Sequence, residues 1–298
     1  MVPETGLVLA LGGGTARAMS HVGFIRALHE RGIEPAGMAG TSFGAIVAAL
    51  WALGTPPDQM ERLLTQPAAR HVWAQGMDFG LGSFSLIRGR RLEKWLDQLL
   101  YRGATFADAS KPLVIATTNL SDGGLHLVNE GSLARAVVAS CSLPLLFAPV
   151  RLGELWSVDG GFVEAVPFQA GASLGYRYLL GINTGIDTDR AAMVRWIRTL
   201  RRQRWARAVA DWGISRSERH AAGRVLRGLG WAAHSYGRPQ PMPEGAALLR
   251  IDPGIAWWDF HRTAFAVNAG LQVGRAALDG GLLDTLVPIG PVPGEVNP

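Results

Sequence analysis

Residues 39–50 read AGTSFGAIVAAL, which is a serine between two glycines followed by an uninterrupted apolar run. The residues before Gly40 are typical of the end of a buried strand, and those after Gly44 are typical of a buried helix. A Gly-x-Ser-x-Gly sequence at such a junction predicts a sharp strand-to-helix turn that exposes the serine hydroxyl. Ser42 is therefore a candidate nucleophile, and the alternative is a serine that only caps the helix.

The surrounding stretch Pro35–Pro57 carries no charge and is long enough to cross a bilayer. Its first half is rich in glycine and hydroxyl residues, however, and the apolar helix predicted over Ala45–Leu53 is shorter than the roughly 20 residues of a membrane span. Gly54 and Pro56 then end that helix. The stretch is better explained as a buried strand, a turn and a buried helix.

The same alternation of strand and helix recurs along the chain. Strands alternating with helices imply a largely parallel sheet that is covered on both faces, which is an α/β fold. The predicted strands lie at about 6–11, 38–41, 112–120, 155–159, 176–184 and 247–252, with a hairpin partner at 125–128. The clearest helices are predicted at about 18–31, 45–53, 133–143 and 264–278.

A glycine-rich segment follows the first predicted strand and precedes a helix. Gly12, Gly13 and Gly14 let the backbone approach a substrate oxygen and turn several N–H groups toward it, and Arg17 adds a fixed positive charge. A dinucleotide loop fits poorly because the third glycine of its fingerprint is missing, and a Walker loop is excluded because no Gly-Lys-Ser/Thr follows. A purely structural glycine turn stays open as an alternative.

A serine nucleophile also needs a base. A Ser–Asp–His triad in the chain order of α/β-hydrolases would require a late histidine, either His234 or His261. Neither lies in a convincing loop at the end of a strand. His21 and His29 fall inside a helical pattern, where packing is the default interpretation.

Two aspartates precede paired glycines. Asp122 lies in Ser-Asp-Gly-Gly between two strand-like runs, which is typical of a hairpin, so a structural role is expected. Asp159 ends a strand, is followed by Gly160 and Gly161, and has no short return strand after it. Asp159 is therefore the better candidate for a base that acts directly on Ser42.

Together these stretches resemble the patatin-like phospholipase family. The matching motifs are GGGTARA at 12–18, GTSFG at 40–44 and DGG at 159–161, and the block from 116 to 150 is also similar to the family's central region. The resemblance is good over about 6–185 and loose over 246–288. It implies a three-layer α/β/α fold in one domain over residues 5–290, and an acyl ester or phospholipid substrate.

The resemblance also implies a mechanism without histidine, metal or cofactor. Ser42 would attack the ester carbonyl and Asp159 would take its proton. Backbone N–H groups around Gly13 and Gly14, helped by Arg17, would hold the oxyanion. One position departs from the family: Ala18 stands where a glycine is usual, and an alanine costs about 1 kcal/mol if that position requires a positive φ.

The positive charge of the chain is regional. Arg190–Arg227 contains 11 arginines against Asp211 and Glu218, and since the whole chain carries +5, the remainder carries −4. This segment belongs to a predicted helical region at about 188–245 and also contains three tryptophans, which suits the surface of an anionic membrane. Nucleic acid is not an expected partner because no binding module is visible. The alternative is a solvated helix that packs its tryptophans on the core.

The single Cys141 excludes an internal disulfide and is expected to be a buried, inert thiol. The first residues show no basic region before an apolar run, so no signal peptide is expected. The expected location is cytoplasmic, with peripheral contact to a membrane. Two other functions stay open: a non-catalytic protein that binds a partner or an acyl ligand on the same fold, and an acyltransferase.

Overall fold

The computed structural model describes residues 6–66, 89–143, 147–185 and 242–289. Nearly all of the predicted basic region at 188–245, including Arg190–Arg227 and His234, lies outside the described residues.

Eight strands of the described residues form one sheet. The sheet order is β5-β6-β3-β2-β1-β7-β8, and β4 pairs with β3 as well. The five strands β3, β2, β1, β7 and β8 are parallel neighbours, whereas β4, β5 and β6 are joined by antiparallel pairings. The strands are β1 Leu7–Leu11, β2 Gly37–Thr41, β3 Leu113–Asn119, β4 Leu125–Val128, β5 Val150–Leu152, β6 Leu155–Asp159, β7 Tyr178–Asn183 and β8 Ala247–Arg250.

Seven α-helices of the described residues accompany the sheet. They are α1 Ser20–His29, α2 Phe43–Ala52, α3 Pro57–Thr65, α4 Arg90–Trp95, α5 Leu133–Ser140, α6 Phe168–Ala172 and α7 Thr263–Asp279. A π-helical turn at Leu96–Tyr101 continues α4, and short 3-10 turns lie at Thr15–Met19, Phe106–Asp108, Gly160–Phe162, Phe260–Arg262 and Leu282–Thr285. Among the helices of these ranges, none has both the length and the apolar character needed to cross a membrane.

Strand β1 shows how the sheet is covered on both faces. Side chains alternate along a strand, so Leu9 and Leu11 enter the large core formed with the helical layer on one face. Val8 and Ala10 point to the other face, where they pack with Phe168 of α6. A central strand that is buried on both faces is expected to be apolar at every position, and β1 has the sequence LVLAL. The predicted three-layer α/β/α fold is confirmed.

Helices α1 and α7 pack with their backbones almost in contact. A Cβ atom at Gly23 of α1 would overlap the carbonyl oxygen of Val267, and a Cβ atom at Gly270 of α7 would overlap the carbonyl oxygen of Ser20. Only glycine permits this approach from either side. The last long helix is thereby held against the helix that follows the glycine-rich segment.

Strands β2 and β6 both end beside β3, opposite two consecutive residues of that strand. Strand β2 runs parallel to β3 and places Thr41 opposite Ala116, while β6 runs antiparallel to β3 and places Asp159 opposite Thr117. The carboxyl ends of β2 and β6 therefore arrive at the same point from opposite directions.

Candidate active site

Ser42 forms the turn between β2 and α2. Its backbone has φ 53° and ψ −126°, a strained conformation for a residue other than glycine. A Cβ atom at Gly40 would overlap the backbone of Ala45, and one at Gly44 would overlap the carbonyl oxygen of Leu11. Both glycines of the motif are thus required for the turn to close.

The hydroxyl of Ser42 does not cap the helix that follows it. No side-chain capping bond is formed at the start of α2, and the hydroxyl instead donates a hydrogen bond to Oδ2 of Asp159 at 2.9 Å. The other carboxylate oxygen, Oδ1, accepts a hydrogen bond from the N–H of Gly161 at 2.8 Å, which orients the carboxylate toward the serine. The two side chains are 117 positions apart in sequence.

The pair lies in a nearly dry environment. Asp159 is 3% exposed and Ser42 is 9% exposed. Burial raises the pKa of Asp159 from its usual 3.8 to about 7, because a charged carboxylate is disfavoured away from water. The hydrogen bonds from Gly161 and Ser42 oppose this rise. An aspartate in this environment is a much better proton acceptor than an exposed one.

Two of the three glycine amides in the loop at 12–14 are already bonded within the protein. The N–H of Gly12 donates to the carbonyl oxygen of Ile182 at 3.0 Å, and the N–H of Gly13 donates to that of Ala165 at 3.1 Å. The Gly13 amide therefore anchors the loop to the residues that precede α6, and the role of this loop in holding an oxyanion stays a prediction.

The amide of Gly14 is oriented differently. Thr184 Oγ1 donates to the carbonyl oxygen of Gly13 at 2.7 Å, and since a trans peptide directs its C=O and N–H to opposite sides, the Gly14 N–H points away from Thr184. No acceptor among the described residues takes this N–H. Gly14 has φ 146°, and a Cβ atom there would overlap Thr184 Oγ1, so no other residue fits.

Arg17 braces the loop. Its Nε donates to the carbonyl oxygen of Ile255 at 2.7 Å, and a terminal nitrogen donates to that of Gly185 at 3.0 Å. A direct role of Arg17 on the oxyanion stays a prediction.

Ala18 lies inside the 3-10 turn Thr15–Met19 and has no positive φ, so the strain that an alanine would have at a positive φ does not arise. Thr15, with φ 49°, has the unusual backbone instead.

The remaining predicted residues occupy structural positions. Asp122 accepts a hydrogen bond from the N–H of Gly124 at 2.8 Å in the turn between β3 and β4, which confirms its hairpin role. Gly160 approaches β3 closely, and a Cβ atom there would overlap the carbonyl oxygen of Ala116. His261 is exposed in the 3-10 turn before α7, and the serine hydroxyl has a carboxylate as its acceptor instead.

Three side chains that contact the pair or the glycine loop were not singled out as site residues from the sequence. Ser140 accepts a hydrogen bond from the N–H of Ser42 at 2.8 Å. The imidazole Nε2 of His21 lies 2.8 Å from the carbonyl oxygen of Gly12, and burial lowers the pKa of His21 to about 4, so the ring is a neutral donor to the loop. Cys141 is half-buried as a whole residue, and the withdrawal of its thiol from water, together with the charge of Asp159, raises the pKa of the thiol well above its usual value.

Ser140 and its partner Ser42 are 98 positions apart in the chain, whereas His21 contacts Gly12 nine residues before it. The only sequence signal for Ser140 is a short polar residue in an otherwise apolar helix, and this pattern is too common to identify a site residue. In the described ranges, no three histidine, cysteine, aspartate or glutamate side chains are grouped as metal ligands.

Comparisons with known proteins bear on this arrangement. A family model described as Patatin-like phospholipase matches residues 9–172. The chain is 29% identical over 197 residues to Patatin-like phospholipase domain-containing protein 7 of Mus musculus, which covers 62% of this chain and 14% of that protein. It is 30% identical over 184 residues to Lysophospholipase NTE1 of Pyricularia oryzae, which covers 61% of this chain and 12% of that protein.

A solved structure shares the fold. VipD from Legionella pneumophila superposes with a TM-score of 0.60 at 18% sequence identity, covering 93% of this chain and 67% of that chain. The curated relatives are far longer than this chain, and the matched regions are 14% and 12% of their lengths. Because the family model spans more than half of the 298 residues and includes Ser42, Asp159 and the glycine loop, the chain belongs to the patatin-like phospholipase family.

Proposed function

We propose that this chain hydrolyses acyl esters of lipids, with Ser42 as the nucleophile and Asp159 as the base. The observation that carries the proposal is the 2.9 Å hydrogen bond from the serine hydroxyl to a buried carboxylate at a strained strand-to-helix turn. Family membership and relatives named as lysophospholipases support a lipid substrate.

The first half of the reaction forms an acyl-enzyme. Ser42 Oγ attacks the carbonyl carbon while its proton passes to Oδ2 of Asp159. Negative charge then develops on the carbonyl oxygen, where the Gly14 N–H donates a hydrogen bond and the amino end of α2 contributes a favourable dipole. Collapse of the tetrahedral intermediate breaks the bond to the alcohol, which leaves with the proton held by Asp159.

The second half releases the fatty acid. Asp159 accepts a proton from a water molecule as the water oxygen attacks the acyl carbon. The second tetrahedral intermediate collapses, the ester bond to Ser42 breaks, and the proton returns to Oγ. A pKa near 7 keeps Asp159 basic enough to accept each proton and acidic enough to return it, which an exposed aspartate does poorly.

Substitution of each member of the pair tests the proposal. Ser42→Ala removes the nucleophile and Asp159→Asn removes the base, so we expect each to lower the hydrolysis of p-nitrophenyl butyrate and lysophosphatidylcholine on the order of 10³-fold or more. Steady-state rates, together with titration of released fatty acid, measure this. Asp122→Asn and His261→Ala are the matched controls, and both should retain the rate of the unsubstituted protein.

Three outcomes point elsewhere. Loss of activity in His261→Ala would favour a triad with histidine. Failure of a fluorophosphonate probe to label Ser42 would favour a non-catalytic protein that binds an acyl ligand. Recovery of the acyl group on an acceptor other than water would identify an acyltransferase.

A further inference from the structure

The turn that ends α5 contacts the main chain of both members of the proposed pair. It consists of Ser140, Cys141 and Ser142, and is called here the α5 end turn. Ser140 and Ser142 are 0% and 1% exposed, so the hydrogen bonds of their side chains are shielded from water. The two serines use those bonds in different ways.

Ser140 links the nucleophile turn to β3. Its hydroxyl accepts from the N–H of Ser42 at 2.8 Å and donates to the carbonyl oxygen of Ala116 at 2.7 Å. The pairing of β2 with β3 stops at Thr41 opposite Ala116, so the hydroxyl stands where the strand pairing ends. It provides a partner for a buried N–H that the strained backbone of Ser42 has turned out of the strand.

Ser142 holds the other member of the pair through its main chain. The N–H of Asp159 donates to the carbonyl oxygen of Ser142 at 3.0 Å. The hydroxyl of Ser142 donates to the carbonyl oxygen of Val138 in α5 at 2.7 Å, four residues earlier in the chain. Removing that hydroxyl leaves the main-chain bond to Asp159 in place.

We infer that the hydroxyl of Ser140 holds the turn at Ser42 against β3, so that Ser140 is a positioning residue for the nucleophile. This inference rests on the proposed function. Without the Ser140 hydroxyl, the buried N–H of Ser42 and the carbonyl of Ala116 lose a partner, and the turn can relax away from its strained geometry. The hydroxyl of Ser42 then moves relative to the carboxylate, although both catalytic groups are still present.

Fluorophosphonate labelling of Ser42 provides the test, because its rate and its final extent report different things. A displaced nucleophile reacts slowly but completely, whereas a partly unfolded preparation reacts at the normal rate to a lower final extent. We expect Ser140→Ala to lower the second-order labelling rate about tenfold with an unchanged final extent. With p-nitrophenyl butyrate, kcat should fall by a similar factor while KM stays within about twofold.

Ser142→Ala is the matched control, since it removes an equally buried hydroxyl two residues away, and it should label within about twofold of the unsubstituted rate. Ser140→Cys keeps the volume and a weak polar atom, should restore part of the rate, and replaces Ser140→Ala if that variant does not fold. Unchanged labelling in both Ser140 variants, or equal slowing in Ser142→Ala, would overturn the inference. An unsubstituted protein that resists the probe contradicts the proposed function itself, and the inference falls with it.

Discussion

At the scale of single residues, the burial of Asp159 has opposite effects on its basicity and on the stability of the folded protein. Burial raises its pKa to about 7, which suits its proposed role as a base, but the same burial makes its charged form unfavourable in the folded protein. The unfolded chain releases this proton near pH 3.8, whereas the folded chain retains it until about pH 7. The free energy of unfolding therefore falls as pH rises through this window, by up to about 4 kcal/mol for this one group.

We predict that activity and stability respond to pH in opposite directions. The value of kcat/KM should rise from pH 5 to 8 with a midpoint near 7, because only the ionised carboxylate can accept the serine proton. Over the same range, Asp159→Asn should become progressively more stable than the unsubstituted protein, by a few kcal/mol at pH 8 and little at pH 4. Rate profiles and urea unfolding at each pH measure the two effects.

Glu164 is also buried, and its pKa is also raised to about 7. The difference in stability between Asp159→Asn and the unsubstituted protein is used for this reason, because it reports on Asp159 alone. Any contribution of Glu164 is present in both proteins and cancels in the comparison. A constant stability difference from pH 4 to 8 would show that the carboxyl of Asp159 titrates normally.

At the scale of elements, the site depends on how closely α1 and α7 approach. Gly270 lies against the carbonyl of Ser20, the first residue of α1, which follows directly on the 3-10 turn of the glycine loop. An alanine at this position would gain up to about 1 kcal/mol of helix propensity. The opposing overlap is with backbone, which cannot rotate away, so overpacking of about 1–3 kcal/mol or more should prevail.

We therefore predict that Gly270→Ala lowers the melting temperature. A shift of about 2–4 °C for each kcal/mol is expected for a protein of this size, measured by calorimetry or by circular dichroism. Asn268→Ala, two residues earlier on an exposed position of the same helix, is the control and should be neutral or slightly stabilising. A melting temperature of Gly270→Ala equal to that of the control would mean that the two helices can separate without penalty.

The elements also show what could be predicted from the sequence. The β2–α2 turn around Ser42 was predictable because Gly40 and Gly44 are its immediate neighbours in the chain. The meeting of β2 and β6 at Ala116 and Thr117 was not, because register between distant strands has no local signature.

The directions of the amides in the glycine loop could not be predicted from the sequence either. Its position after β1 could be predicted from the sequence, but the direction of each amide depends on partners far along the chain. Gly13 donates to Ala165, and the peptide that carries the Gly14 N–H is held by Thr184. The hairpin role of Asp122 was predictable because the return strand β4 follows it directly in the chain, whereas the role of Asp159 as a base stays a prediction.

At the scale of the whole molecule, the uneven charge of the sequence leads to a prediction about membranes. The full chain should float with vesicles that contain phosphatidylglycerol, should float less with phosphatidylcholine alone, and should be released by salt. Changing Arg201, Arg202 and Arg204 together to glutamine should weaken binding by about 1 kcal/mol per charge. Lysine at the same three positions keeps the charge and is the matched control.

Flotation assays with and without the anionic lipid measure this difference. Equal recovery of the protein with both kinds of vesicle would rule out an electrostatic contact. Equal loss in the glutamine and lysine variants would show that the arginine side chains matter for packing rather than for charge.

The supports of the glycine loop extend well beyond the shared family region, which ends at residue 172. Thr184 fixes the Gly13 carbonyl, Trp257 accepts the N–H of Ala16 at 3.1 Å, and α7 covers α1. A fragment trimmed to residues 9–172 would keep both side chains of the proposed pair but would lose the contacts that orient the Gly14 amide. Transfer of the proposed chemistry to another protein would therefore require β7 with Thr184, and α7, as well as the family region.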